Sequence, residues 1–214
     1  MSVYLTEAEQ IELIKTLWRR YGNLVTWLLT LVLLMISANK YWHWHQDKIM
    51  QQASETYERL MVSVAQKSDK SILAYAHTLA TVYKNTVYAT AAQLILVKQY
   101  IDHKNYIAAK NSLQQIIAQK SQNALVDIAK IRLARILIAE HAYQKAIDIL
   151  SKMSMQIYGP KINELLGDSY LSLHKLALAQ HAYQQAILQC KQRNLNHVLI
   201  DYKLQSVYFY GSDV

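Results

Sequence analysis

The chain has 214 residues, 52% of them hydrophobic and 18% charged, with four Gly, one Pro and one Cys. So little Gly and Pro argues against an all-β fold, whose turns need them, and against a collagen-like or linker chain, which leaves helices. The 23 Lys and Arg exceed the 15 Asp and Glu by 8, a balance that admits nucleic acid, anionic lipid or an acidic protein as partner. Cys190 has no second Cys to pair with, so an internal disulfide and a thiolate metal cage are excluded and a small buried thiol is the ordinary reading.

The first segment, residues 1–20, contains TEAEQIELIKTLWRR and reads as a short amphipathic helix. Thr6 and Glu9 have the spacing of a capping box, Glu7 and Glu9 suit the positive end of the helix dipole, and Arg19 and Arg20 lie at the other end. Ile11, Ile14, Leu17, Trp18 and Tyr21 form one apolar stripe. Such a stripe rests on a membrane leaflet or extends an anchor; its sharper alternative is a docking helix for another membrane protein.

From Tyr21 to Asn39 no residue is charged, and Arg19, Arg20 and Lys40 bound the run. A helix of that length spans about 28 Å, close to the ~30 Å hydrocarbon core of a bilayer. The run, 21–39, therefore reads as a transmembrane helix and not as the core helix of a soluble domain. Its anchoring side chains are Tyr21, Leu24, Trp27, Leu31 and Leu34, with Tyr41, Trp42 and Trp44 completing the aromatic belt at the far interface. Ile36 stands where a signal-peptidase site needs a small residue, so the helix is expected to remain as an uncleaved anchor. Three basic residues precede the run (Lys15, Arg19, Arg20) against two in the stretch after it (Lys40, Lys48), which puts the N-terminus in the cytoplasm. Residues 40–214 then carry the whole net charge of +8 on the opposite side, where nucleic acid is a poor partner.

Two helices are expected at 48–65 and 69–83, followed by three stretches that align as helix, turn, helix. The first holds Leu96, Val97, Tyr100, Tyr106, Ala109, Leu113 and Ile116. The second holds Leu133, Ala134, Leu137, Tyr143, Ala146, Leu150 and Met153 in the same slots. The third holds Leu166, Gly167, Tyr170, Leu176, Ala179, Tyr183 and Ala186. Offsets of 37 and 33 residues bracket the 34-residue tetratricopeptide period. Small residues (Ala134, Gly167 in first helices; Ala109, Ala146, Ala179 in second) let two antiparallel backbones approach, and Tyr100, Tyr170, Tyr183 and Ala186 pack around them. Gly159-Pro160 reads as the end of one helix and the start of the next. A last helix is expected over 196–208, and the weaker end units suit the caps that a solenoid requires. The fold class is thus all-α, an N-terminal transmembrane helix followed by an α-solenoid of tetratricopeptide-like hairpins over 40–214.

Catalytic and cofactor signatures are absent: there is no Gly-rich phosphate loop, nucleophile elbow or zinc-protease helix. His103, His141 and His174 recur at or beside the repeat turns and read as architectural, while His43 and His45 point to different helix faces. Asp127, Glu140, Asp148, Glu164 and Asp168 read as scattered, solvated carboxylates. No catalytic, metal or cofactor residue is assigned, and enzyme activity is not expected.

With its short acidic-to-basic N-terminal helix, its single span, the run Tyr41-Trp42-His43-Trp44-His45-Gln46, Arg132-Leu133-Ala134-Arg135 opening the middle repeat, and a last helix around Leu199, Tyr202, Lys203 and Leu204, the chain resembles a known family. It is similar over nearly its full length to the single-span periplasmic tetratricopeptide proteins of Gram-negative inner membranes, the ancillary Sec translocon subunits of the YfgM type. The resemblance implies an inner-membrane adaptor whose partners are channel subunits of the Sec translocon and a membrane-anchored periplasmic peptidyl-prolyl isomerase chaperone, and which aids newly translocated proteins. The alternative is a cell-envelope scaffold whose basic outer domain binds anionic lipid or envelope polymer.

Overall fold

The computed structural model describes the backbone of residues 7–119 and 124–212, and the side chains among them except at positions 7–14, 16, 17 and 210–212. The Thr6 cap lies outside the described residues, as do the side chains of Ile11, Ile14 and Leu17 in the N-terminal stripe. Among the described residues the chain is helical with no strand: α1 (Glu7–Ala65), α2 (Asp69–Val82), α3 (Val87–Asp102), α4 (Tyr106–Ala118), α5 (Ala124–Ala139), α6 (Tyr143–Leu150), α7 (Met155–Ser172), α8 (Leu176–Gln192) and α9 (Val198–Ser212). The chain divides into two units, residues 1–55 and 56–214.

α1 is longer than the sequence pattern suggests. The leading helix, the uncharged run and the helix expected from Lys48 are one continuous element of 59 residues. Nothing between them breaks a helix: the segment has no Pro, its one glycine is Gly22, and composition changes without a turn signal.

Residues 56–214 form the hairpin array. Within it successive helices pack on one another from α2 onward, and α3 also meets α5 and α5 meets α7. That alternate contact marks stacked hairpins, in which first helices line up beside first helices. The apolar interior is a succession of small cores. One joins Leu94 and Val97 of α3 to Leu113 and Ile116 of α4 and Leu133 of α5. The next joins Ala134, Ala146 and Leu150 to Ile162 and Leu166 of α7, and the last joins Ala179, Tyr183 and Ala186 to Ile200 and Val207 of α9.

Each hairpin turns on a left-handed residue that is not glycine. Lys104, His141 and His174 have φ of 58°, 60° and 54°, with Lys67 and Asn194 alike at the ends of α1 and α8. The hydrogen bonds are those of a Schellman cap: Asn105 N–H donates to Tyr100 O (2.7 Å) and Lys104 N–H to Ile101 O (2.9 Å), with the same pairs at Ala142/Leu137 and Lys175/Tyr170. The three turn residues lie 37 and 33 residues apart, the spacing found in the sequence; the first interval holds the longer second helix, α4 with 13 residues against 8 in α6, partly offset by α5 being shorter than α7. His103 stands one position before the left-handed residue and the other two histidines occupy it, so only His141 and His174 are equivalent.

Gly159-Pro160 stands at a helix boundary, as the sequence reads it: α7 is two helical stretches joined across a kink at Tyr158 (φ −102°, ψ 15°), and Pro160 lies in the first turn of the second. Pro160 has no N–H for the carbonyl of Gln156, four residues back, and the Arg193 guanidinium at the end of α8 supplies one at 2.8 Å, while also bonding Ile157 O at 2.6 Å. A Cβ at Gly159 would stand 2.5 Å from Gln189 Oε1, the far end of a flexible side chain, which would have to move aside.

Candidate functional site

The repeat-packing residues fall on helix faces that touch. Ala109, Ala134, Ala146, Ala179 and Ala186 are buried, and Tyr100 and Tyr170 are half-buried at the edges of the cores. Gly167 lies under the Tyr183 ring so closely that a Cβ would be 2.5 Å from Cε1. Tyr106, Tyr143 and Leu176 each begin the second helix of a hairpin. Of the first-slot residues, Leu96 is only half-buried; Leu94, two residues earlier, is buried in its place.

In the uncharged run the same apolar residue types face outward. Leu24, Trp27, Leu31 and Leu34 are exposed, Trp27 by 75%. A helix from the core of a soluble protein would be mostly buried, so this segment is a candidate membrane helix, the one such helix among the described residues. Its two threonine hydroxyls are satisfied on the helix itself: Thr26 Oγ1 donates to Gly22 O (3.0 Å) and Thr30 Oγ1 to Thr26 O (2.8 Å), which lowers the cost of bringing them into hydrocarbon. Tyr21, Tyr41, Trp42 and Trp44 are exposed as well; Tyr41 and Trp44 meet at 5.9 Å, and Lys48 Nζ sits 5.3 Å from the Trp44 ring centre.

Two polar centres lie in the hairpin array, and the sequence pattern revealed neither. The first corrects the expectation of solvated carboxylates. Glu164 is buried and Asp168 half-buried, one turn apart on α7. Lys203 of α9 donates to Glu164 Oε1 (2.7 Å) and Asp168 Oδ2 (2.8 Å), Lys161 to Glu164 Oε2 (2.7 Å), and the Tyr183 hydroxyl to Asp168 Oδ1 (2.7 Å). Burial alone would raise the Glu164 carboxyl, but the hydrogen bonds from Lys161 and Lys203 outweigh it and hold the group below its ordinary value. Burial likewise acts to lower Lys203, and its bonds to Asp168 and Glu164 reverse the sign and raise it. Tyr183 is pushed up, first by burial and then by Asp168. These bonds tie α7, α8 and α9 together.

The second centre is a cavity of about 500 Å³ between α3 and α5. Its apolar wall is Ile101, Ile136, Ala139 and the exposed ring of Tyr106; its charged wall is Lys98, Arg132, Arg135 and Glu140. On α5, positions 132, 135, 136 and 139 recur at helical spacing and share a face. Arg132 is held by a bond from Nη1 to Leu94 O (2.8 Å) across to α3. Burial first, and then the neighbouring Arg135 charge, lower its guanidinium from the ordinary value. Glu140 is engaged by Lys110, whose Nζ lies 2.7 Å from both carboxylate oxygens. Among the described residues no group of three or more His, Cys, Asp or Glu gathers as a metal ion would require. The cavity is a basic, partly apolar slot.

A membrane-helix candidate joined to stacked helical hairpins defines a helical-repeat protein with a candidate membrane anchor. The description of the tetratricopeptide repeat-like domain matches residues 15–208, and the chain belongs to that family. Its relatives include the "Ancillary SecYEG translocon subunit" of Escherichia coli (strain K12), 27% identical over 80% of this chain and 82% of the relative. The proteins of that name from Aggregatibacter actinomycetemcomitans (25%, over 80% of this chain and 84% of the relative) and Haemophilus influenzae (24%, over 78% and 82%) are similar to it as well. No solved structure matches the chain.

Proposed function

We propose that this chain is a non-catalytic, membrane-anchored adaptor of the Sec translocon. The observation that carries the reading is the match from residue 15 to residue 208, which takes in the exposed apolar run and the hairpins as one unit, together with relatives named as translocon subunits over four-fifths of the chain. In this reading residues 1–20 lie in the cytoplasm, 21–39 cross the inner membrane, and 40–214 stand in the periplasm as the repeat domain. Tethering keeps the repeats at high local concentration beside the channel, so a modest affinity suffices there. The finer role, linking the channel to a membrane-anchored peptidyl-prolyl isomerase chaperone and aiding newly translocated proteins, follows from the family resemblance.

Affinity isolation of the intact tagged chain from gently solubilised membranes tests both levels. Channel subunits and the isomerase are expected to co-purify. Recovery of the channel without the isomerase would remove the chaperone link, and recovery of neither would remove the adaptor assignment.

A further inference from the structure

We propose that Lys40, Tyr41, Trp44, His45 and Lys48, on one face of α1 just past the uncharged run, form a binding site for the headgroup of an anionic phospholipid, a phosphodiester with no amine of its own. The lipid comes from the bilayer beside the helix, so the proposal rests on the reading of 21–39 as a membrane span.

Placement is the first argument. The five positions recur at three- and four-residue spacing, which puts them on one side of the helix, and all five side chains are exposed. At 1.5 Å per residue Trp44 stands about 8 Å beyond Asn39, the last residue of the run, within the headgroup layer that flanks a hydrocarbon core. The Lys48 backbone stands about 6 Å further out. Helical side chains lean toward the N-terminus, however, and here that direction is toward the membrane. Lys48 Nζ accordingly lies 5.3 Å from the Trp44 ring centre, which brings its charge back to the level of that ring.

Chemistry is the second argument. Two ammonium groups, the Tyr41 hydroxyl, the Trp44 indole N–H and a His45 ring N–H are donors that phosphate oxygens accept. The rings are already ordered against one another: Tyr41 stacks on His45 at 6.2 Å with planes 8° apart, and it meets Trp44 at 5.9 Å. Their apolar faces suit the glycerol and the top of an acyl chain while their polar edges meet the phosphate. Asp47, the one carboxylate of residues 40–48, borders this face beside Lys40. The opposite side, with Trp42, His43 and Gln46, carries no lysine, so the positive charge is gathered on one side and is not a uniform ring. A zwitterionic headgroup brings an ammonium that both lysines repel; an anionic one brings none and is preferred.

The test uses the full-length chain with Trp18→Phe, Trp27→Phe and Trp42→Phe, which leaves Trp44 as its one tryptophan, reconstituted in phosphatidylcholine vesicles. Trp44 fluorescence is quenched by lipids that carry a nitroxide high on the acyl chain. Labelled phosphatidylglycerol is expected to quench more than labelled phosphatidylcholine at the same mole fraction, a local preference of about threefold or more. Lys40→Gln combined with Lys48→Gln should abolish the preference. Lys84→Gln combined with Lys152→Gln, which removes the same charge from exposed positions in residues 56–214, should leave it unchanged. Equal quenching by the two lipids, or an equal loss in the two double variants, overturns the proposal. So does displacement by millimolar inorganic phosphate, which would make the site one for a free anion. Carbonate extraction of the same vesicles separates this proposal from the span it rests on. A chain that stays with the membrane but shows no lipid preference removes the headgroup site alone. A chain that shows the preference and is nonetheless extracted supports the site and removes the span alone.

Discussion

Leu24, Leu31 and Leu34 of the uncharged run are each more than half exposed, whereas Leu60, Leu79, Leu113 and Leu150 in residues 56–214 are wholly buried. The residue type is the same and the chain treats it in opposite ways. In the hairpins the 3.6-residue stripe of each helix finds a neighbouring helix, and small residues at the crossings let the backbones close. In the run the apolar residues cover every face, so no single neighbour could bury them and a surrounding hydrocarbon phase can. Polar groups follow the same division. The run carries only hydroxyl and amide side chains, and its two threonine hydroxyls bond to its own carbonyls. Among the described residues the hairpins admit one buried charge, Glu164, matched by the partly exposed Lys161 and Lys203, the latter also bound to the half-buried Asp168.

The comparison can be broken from either side. Leu113→Ala empties a wholly buried site and should cost about 2–5 kcal/mol, read as a large drop in the melting temperature of the full chain in detergent; a drop no larger than for a surface substitution would refute the packing. Leu31→Arg puts a charge at the middle of the exposed run. It should cost about 3 kcal/mol of insertion, seen as a larger carbonate-extractable fraction, with no change in the melt of the hairpins.

Lys203→Met sharpens the polar half of the contrast. It leaves the buried Glu164 with Lys161 alone and should cost about 2 kcal/mol. Its pH signature is distinctive. Because the folded Glu164 carboxyl sits below its unfolded value, its contribution is present above about pH 4.3 and is lost as pH falls through the folded value. Because Lys203 sits above its unfolded value, its contribution is complete below about pH 10.4 and is lost as pH rises through the folded value. The variant should flatten the alkaline loss and shrink the acid one, followed by denaturant titration across pH. The smallest effect is stabilising: His174→Gly relieves a left-handed residue and should add about 0.5 kcal/mol, while His174→Ala should not.

The hairpin register is readable in sequence because close helix crossings restrict residue size, and Ala109, Ala146 and Ala179 record that restriction at each crossing. The turns are harder to read. Left-handed positions usually announce themselves as Gly or Asn, and here Lys104, His141 and His174 fill three of them, so their recurrence marks a turn without revealing its geometry. Gly159-Pro160 is legible because proline suits the first turn of a helix: α7 kinks at Tyr158 just before the pair, where the Arg193 guanidinium satisfies the Gln156 carbonyl that Pro160 leaves free. No spacing rule pairs Glu164 with Lys203, which lies 39 residues away.

By itself the sequence determined the helical class, the exposed apolar run and the repeating hairpin. These depend on local composition, on side-chain size and on a period that neighbouring residues carry. Only the tertiary structure decided which carboxylates are buried and what neutralises them, and which cations are left facing a groove. Both depend on helices far apart in the chain coming within hydrogen-bond reach, and a charged residue's solvation is set by those neighbours and not by its place in the sequence.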